Sequence, residues 1–154
     1  MADVNPIPDG YTRVTPYLHV DGASDAIDFY VKVLGAKERM RMPGPDGKLG
    51  HAELELGGSA IMLADEFPES DVRSPKSVGG TPVMLYVYVE DVDSVFDAAM
   101  EAGAKELRPV ENQFYGDRSG QFEDPWGHRW NVATHVEDVP PDEMEKRAAE
   151  VMSG

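Results

Sequence analysis

The sequence predicts an α+β protein built from two copies of one β-α-β-β-β module. Gly-Ala-Lys-Glu at Gly35 to Glu38 returns at Gly103 to Glu106. Before each copy stand a β-branched and aromatic run, an acidic turn and an amphipathic helical stretch that ends at the repeated glycine. After each copy come a polar or Gly/Pro-rich segment and two further strand-like runs.

The first module is expected over 14–65, behind an N-terminal extension at 1–13. Its opening strand is Val14 to Val20, with the turn at Asp21-Gly22 and a helix over Ser24 to Leu34. Ile27, Phe29, Tyr30, Val33 and Leu34 make the apolar stripe of that helix. Ser24 suits its N-cap, and Gly35 suits the left-handed residue past its end. Pro43-Gly44-Pro45-Asp46-Gly47 reads as a hairpin connection. The segment 66–80, Glu66 to Gly80, is rich in Pro, Ser, Gly and charge and reads as a long exposed linker.

The second module is expected over 81–135, with a strand from Val83 to Val89, the turn Glu90-Asp91 and a helix over Val92 to Ala102. Val92, Val95, Phe96, Ala99 and Met100 recur at helical spacing and make one apolar stripe that should pack on a sheet. In the tail, 136–154, Pro140-Pro141 opens a segment in which Met144, Ala148 and Val151 share a helical face. This extra C-terminal helix should dock on its own domain or on a second subunit.

Composition excludes several function classes. The 154 residues, 41% hydrophobic, suffice for an ordinary core. The absence of cysteine removes disulfides, thiolate metal sites and cysteine nucleophiles, and is compatible with a reducing compartment. A formal net charge of -15, from 29 acidic and 14 basic residues, argues against nucleic acid and anionic membrane surfaces as partners. No run approaches the roughly 18 apolar residues of a membrane span, and the first ten residues lack the layout of a signal peptide. The expected location is cytoplasmic. Phosphate-binding glycine loops and the nucleophile elbow are absent from the sequence.

Strand alternation assigns side chains to faces. Val14, Pro16, Leu18 and Val20 should meet the helix, with Thr15, Tyr17 and His19 on the other side. Val83, Leu85, Val87 and Val89 should do the same in the second module, leaving Met84, Tyr86 and Tyr88 opposite. Ala52, Leu54 and Leu56 oppose His51, Glu53 and Glu55; Ala60, Met62 and Ala64 oppose Ile61 and Leu63; Trp130 and Val132 oppose Arg129, Asn131 and Ala133. A face of Tyr, Met, His, Glu, Arg and Asn suits a ligand site better than a fully solvated surface.

From Val14 to His135 the chain resembles the vicinal oxygen chelate superfamily, which holds glyoxalase I, bleomycin-resistance proteins and extradiol dioxygenases. The resemblance rests on Val20-Asp21 through Asp28-Phe29-Tyr30, on Val33-Leu34-Gly35-Ala36 and on the turn Asp124-Pro125-Trp126-Gly127-His128. Tyr115-Gly116-Asp117-Arg118 and Ala133-Thr134-His135 are similar to the PhnB-like branch. The resemblance implies paired modules curling into a mixed-sheet cup of the glyoxalase/bleomycin-resistance type, and a homodimer.

Metalloenzymes of that superfamily hold a divalent ion with His, Glu or Gln side chains on the first and fourth strands of each module. Carried over by distance from the strand ends, those positions are Thr15, Met62, Met84 and Asn131. A hydroxyl, two thioethers and an amide give such an ion neither charge neutralisation nor its preferred donors. The expectation is therefore no metal and no cofactor.

Other residues of the cup carry two readings each. His19 is a substrate-contacting histidine or a strand histidine hydrogen-bonded across the sheet. His51 and Glu53 are a base with its orienting carboxylate or two-thirds of a relocated metal site, or else the pattern of a solvent-facing edge strand. Tyr17, Tyr86 and Tyr88 stack on a planar ligand or on one another. Arg129 pairs with an anionic ligand group, or bridges Glu53, Glu55 or Glu123. His128 and His135 read as turn and surface residues. Two functions follow from this. One is a metal-free protein that sequesters a planar or aromatic small molecule through Thr15, Tyr17, His19, Met62, Met84, Tyr86, Tyr88, Arg129 and Asn131. The other is a glyoxalase-like lyase or isomerase, or a related enzyme, with a displaced metal or acid-base site at His19, His51 and Glu53.

Overall fold

The computed structural model describes residues 3–154. Met1 and Ala2, the start of the expected N-terminal extension, lie outside the described residues. The chain divides into two compact units: everything up to Thr81 together with Pro125–His128, and Pro82–Asp124 together with Arg129–Gly154.

In the first unit β1 (Tyr17–Val20), α1 (Ala23–Leu34), β2 (Lys37–Pro43), β3 (Leu49–Leu56) and β4 (Ser59–Asp65) form the β-α-β-β-β module. The sheet order is β1-β4-β3-β2, with β1 and β4 parallel and the other pairs antiparallel. Every residue of the expected α1 stripe is buried. Leu18 and Val20, Ala52 and Leu54, and Ile61 and Leu63 are buried on β1, β3 and β4. Burial of these apolar surfaces is the main drive for the layer.

Strand β1 begins at Tyr17, and Val14 is 81% exposed, so it does not join the helix-side set. Pro16 has no N–H for the ladder, although its carbonyl still accepts from Met62 N at 2.9 Å. The same correction applies in the second unit, where Val83, next to Pro82, is 61% exposed. Ser24 does not cap α1. Gly22 is the N-cap, at φ 116°, and the buried Asp65 accepts through Oδ1 from Gly22 N and Ala23 N, both at 2.9 Å. Its Oδ2 accepts from Leu49 N at 2.7 Å. The end of β4 thus supplies the cap, a long-range contact invisible to local spacing. Gly35 closes the helix at φ 73°, as expected.

The segment expected as an exposed linker is partly built. Phe67 bridges Val72, and α2 (Pro75–Val78) forms a single turn with Ser74 and Pro75 buried. The Glu66 carboxylate accepts from Ser74 N at 3.0 Å and from the Ser77 hydroxyl. These bonds satisfy donors at the start of the turn. Pro75 also packs on the 125–128 turn, where a Cβ on Gly127 would lie 2.8 Å from the Pro75 Cβ. In the same turn Trp126 is buried edge-on to Phe29, with ring centroids 5.6 Å apart.

The second unit repeats the arrangement with β5 (Met84–Tyr88), α3 (Val92–Glu101), β6 (Lys105–Asn112), β7 (Asp117–Glu123) and β8 (Arg129–His135), in the order β5-β8-β7-β6. Asp91 caps α3 by accepting from Ser94 N at 3.2 Å. Val92, Phe96 and Ala99 are buried on the helix, and Phe122, Trp130 and Val132 on the strands. The C-terminal helix α4 (Pro141–Ser153) has no fully buried residue, and Val151 of its expected apolar face is 57% exposed. Arg147 holds it instead, donating to the Phe114 carbonyl at 3.1 Å and to both oxygens of Glu137 at 2.9 Å. Among the described residues no helix is long and apolar enough to cross a membrane.

Candidate functional site

On the open face of the first sheet, register places Tyr17, Met62, Glu53 and Met40 side by side on β1, β4, β3 and β2. His19, Ala64 and Met42, with His51 opposite Met42, make the neighbouring row. Because β3 lies between β4 and β2, the edge-strand reading of His51 and Glu53 is overturned, and Glu53 is only 9% exposed.

A buried carboxylate needs partners, and Glu53 has two. Its Oε2 accepts from His51 Nε2 at 2.8 Å, and its Oε1 accepts from the Tyr11 hydroxyl. The His51 bond, then the Tyr11 bond, holds the Glu53 carboxyl below the usual carboxylate range. With Glu53 accepting from Nε2, Nδ1 is left to accept from the Tyr17 hydroxyl at 2.7 Å. Burial, then the Glu53 charge, raises the Tyr17 phenol above its ordinary value. Tyr17 is therefore a neutral hydroxyl at pH 7, and its ring is 43% exposed. His19 lies beside it with ring centroids 5.2 Å apart. Burial, then His128, lowers the His19 pKa, so its imidazole is neutral. Its carbonyl accepts from His128 Nε2 at 2.9 Å, which makes His128 a tie within the first unit rather than a plain turn residue.

The second unit builds a different network on its corresponding face. Asp117, 4% exposed, accepts through Oδ2 from Tyr86 at 2.6 Å and Tyr88 at 2.9 Å, and through Oδ1 from His135 Nδ1 at 2.9 Å. Burial opposes its charge, but the bonds from Tyr86, His135 and Tyr88 together outweigh burial and hold its pKa low. The same contacts raise both phenols, Tyr86 mainly through burial and Tyr88 mainly through the Asp117 bond. The two rings are 5.3 Å apart, 46% and 63% exposed. His135, read from the sequence as a surface residue, is a member of this network.

Of the remaining expected site residues, Thr15 is half-buried just before β1, Met84 is 39% exposed on β5, and Arg129 lies 3.5 Å from Glu123, its bridging alternative. Asn131 is buried on β8 and accepts through Oδ1 from Gln121 Nε2 at 3.2 Å. Sequence reasoning missed Tyr11, Asp117 and Gln121. Tyr11 sits in the non-periodic extension. Asp117 and Gln121 fall on β7, whose short, glycine-containing run lacks a clear strand pattern.

The donor set for the superfamily's divalent ion does not fit. Thr15 and Met62 in the first unit, and Met84 and Asn131 in the second, supply no carboxylate or imidazole. His51 and Glu53 do not compensate, because among the described residues no third His, Cys, Asp or Glu joins them in a metal-binding cluster.

The sequence pattern of the Glyoxalase/Bleomycin resistance protein/Dioxygenase superfamily matches residues 12–132, most of the chain. The chain belongs to this superfamily. It is 45% identical over 135 residues to the protein Rv0887c of Mycobacterium tuberculosis, covering 86% of this chain and 79% of that one. Among solved structures it is similar to PA1353 from Pseudomonas aeruginosa, with 23% identity, a TM-score of 0.68, and coverage of 82% of this chain and 99% of that one. The PhnB protein from Bacillus cereus shares the fold at 20% identity and a TM-score of 0.63, over 80% of this chain and 99% of that one. The two structural likenesses agree with the α+β fold.

Proposed function

We propose that the chain is a metal-free small-molecule-binding protein of the sequestration type, which takes a planar or aromatic ligand on its tyrosine-bearing sheet faces. The observation that carries this reading is the presentation of Tyr86 and Tyr88: both rings are about half exposed, while both hydroxyls are anchored on one buried carboxylate. Anchored rings lose little further freedom on stacking, so ligand contact is not offset by ordering the side chains. Tyr17, anchored on His51, offers the same in the first unit. The neutral residues at the superfamily's metal positions support a binding role over metal-assisted turnover.

The test is titration of the full chain with a panel of planar aromatic compounds, followed by NMR of the tyrosine ring signals. Saturable shifts at Tyr17, or at Tyr86 and Tyr88, that weaken in Tyr88→Ala or Tyr17→Ala bear the reading out. A panel that moves none of these rings overturns it.

The bridge from Glu53 through His51 to Tyr17 favours a second reading, an acid-base catalyst without metal, in which Glu53 orients His51 and His51 exchanges a proton with Tyr17 or a substrate group. Turnover of a bound compound that disappears in a folded His51→Ala variant would select it over binding alone.

A further inference from the structure

The two modules place different chemistry at equivalent points. Where the first unit has Tyr17, Met62, Glu53 and Met40 across its sheet, register gives Tyr86, Asn131, Gln121 and Arg108 across the second. A row with a buried acid corresponds to a row with two amides and a cation.

Asn131 is 3% exposed, yet its Nδ2 has no hydrogen-bond partner among the described residues. A buried N–H without an acceptor is uncommon and unfavourable, and points to a group that supplies one. Asn131 lines a small open recess of about 30 Å³, room for a group the size of a carboxylate, together with Arg108, Gln113, Tyr115, Ser119 and Gln121. Arg118, Arg129 and Arg147 of this unit each face a carboxylate, whereas Arg108 makes no ion pair among the described residues. The recess thus collects an unmatched donor, an unmatched cation and two hydroxyls, with no carboxylate in its lining.

We propose that this recess holds the carboxylate of a small organic acid, with Arg108 as the ionic partner and the Asn131 amide as a buried donor. A guanidinium and an amide N–H match the two oxygens of one planar anion. The net charge of -15 disfavours more highly charged ligands at long range, so a single carboxylate fits better than a polyphosphate. The inference rests on the binding reading above and narrows it: the planar ligand carries an acid group, and the second unit reads that group.

The test compares benzoate with benzamide, a neutral compound of nearly the same shape, on the full chain. The readout is the side-chain amide signals of Asn131 and Gln121, assigned by their loss in Asn131→Asp and Gln121→Glu. Benzoate should shift the Asn131 signal saturably and benzamide should not. Arg108→Gln, at an exposed position safe for folding, should weaken benzoate about tenfold or more, the range for a hydrogen bond to a charged group. Equal shifts from both compounds, no Asn131 shift with benzoate, or unchanged affinity in Arg108→Gln would overturn the proposal. If Asn131 is silent while either compound shifts the Tyr17, Tyr86 or Tyr88 rings, the acid site fails and the binding reading survives. Silence at all of these positions with the two compounds rejects the acid site, and the same silence across the aromatic panel rejects both.

Discussion

The Tyr17 phenol and the His51 imidazole meet at 2.7 Å across β4, which runs between their strands. The contact makes Tyr17 the exposed end of a chain whose buried end is Glu53. Replacing Tyr17 by Phe removes one hydrogen bond and leaves the ring. Chemical denaturation should show a loss of about 0.5–1.5 kcal/mol, and the His51 ¹⁵N signals should report altered Nδ1 bonding with Nε2 still protonated. A variant with unchanged His51 signals would show that the bond does not persist in solution.

The Glu53 carboxyl is held low by His51 first and Tyr11 second, so its folded pKa lies below its unfolded value. Such a group contributes stability above its unfolded pKa and loses that contribution as pH falls through the folded value. Glu53→Gln should therefore flatten the acid side of the stability curve below about pH 4.5. If thermal unfolding from pH 6 down to pH 3 gives parallel curves for the variant and the parent, Glu53 is not a source of acid sensitivity.

His135 carries the opposite sign. Its pKa is raised by Asp117 and then Asp138, so its stabilising charge is present below its unfolded pKa and is lost as pH rises through the higher folded value. Stability should decline from about pH 6.5 upward, and His135→Gln should remove that decline while leaving the stability above it nearly unchanged. NMR titration of the imidazole gives the direct check: a folded-state midpoint at or below that of a free histidine would contradict the assignment.

How much of this was legible in the sequence follows from the range of each interaction. The α1 and α3 stripes, the Gly35 termination and the duplicated module depend on neighbours three or four residues away or on repetition, and all can be read from spacing. The Asp65 cap of α1 joins residues more than forty positions apart, so the local pattern offered Ser24 instead. His51 and Glu53 were visible as a pair on one face, but strand order alone reveals that β3 is interior and that Glu53 must be buried and partnered. Asp117 becomes a hub only once β5, β7 and β8 are aligned, which no single segment encodes. The tyrosines were found because alternation fixes their face; what binds their hydroxyls was not.

Asp65 gives a stability prediction from that long-range cap. Asp65→Ala would strip acceptors from Gly22 N, Ala23 N and Leu49 N at once. Loss of a helix cap costs about 0.5–2 kcal/mol, and an unsatisfied buried N–H costs about 1–3 kcal/mol. A destabilisation above about 2 kcal/mol is expected, with Ser24→Ala nearly neutral by comparison. Equal effects of the two substitutions in urea would return the capping role to Ser24.

The last prediction concerns divalent ions. Zn²⁺, Ni²⁺, Mn²⁺, Fe²⁺ and Co²⁺ bind well where imidazole and carboxylate converge, and binding only the folded state raises the melting temperature. Thr15, Met62, Met84 and Asn131 offer no such donors, and His51 and Glu53 are already engaged with each other and with two tyrosines. Binding at His51 would have to break the bond from Nε2 to Glu53 or the bond from Tyr17, which lowers affinity by the strength of the bond lost. Protein purified without chelator should carry no stoichiometric ion by elemental mass spectrometry, and added ions should leave its melting temperature unchanged. A shift of several degrees that vanishes in His51→Ala would place a metal in the first unit, and would replace the binding reading with metal-assisted chemistry at His51 and Glu53.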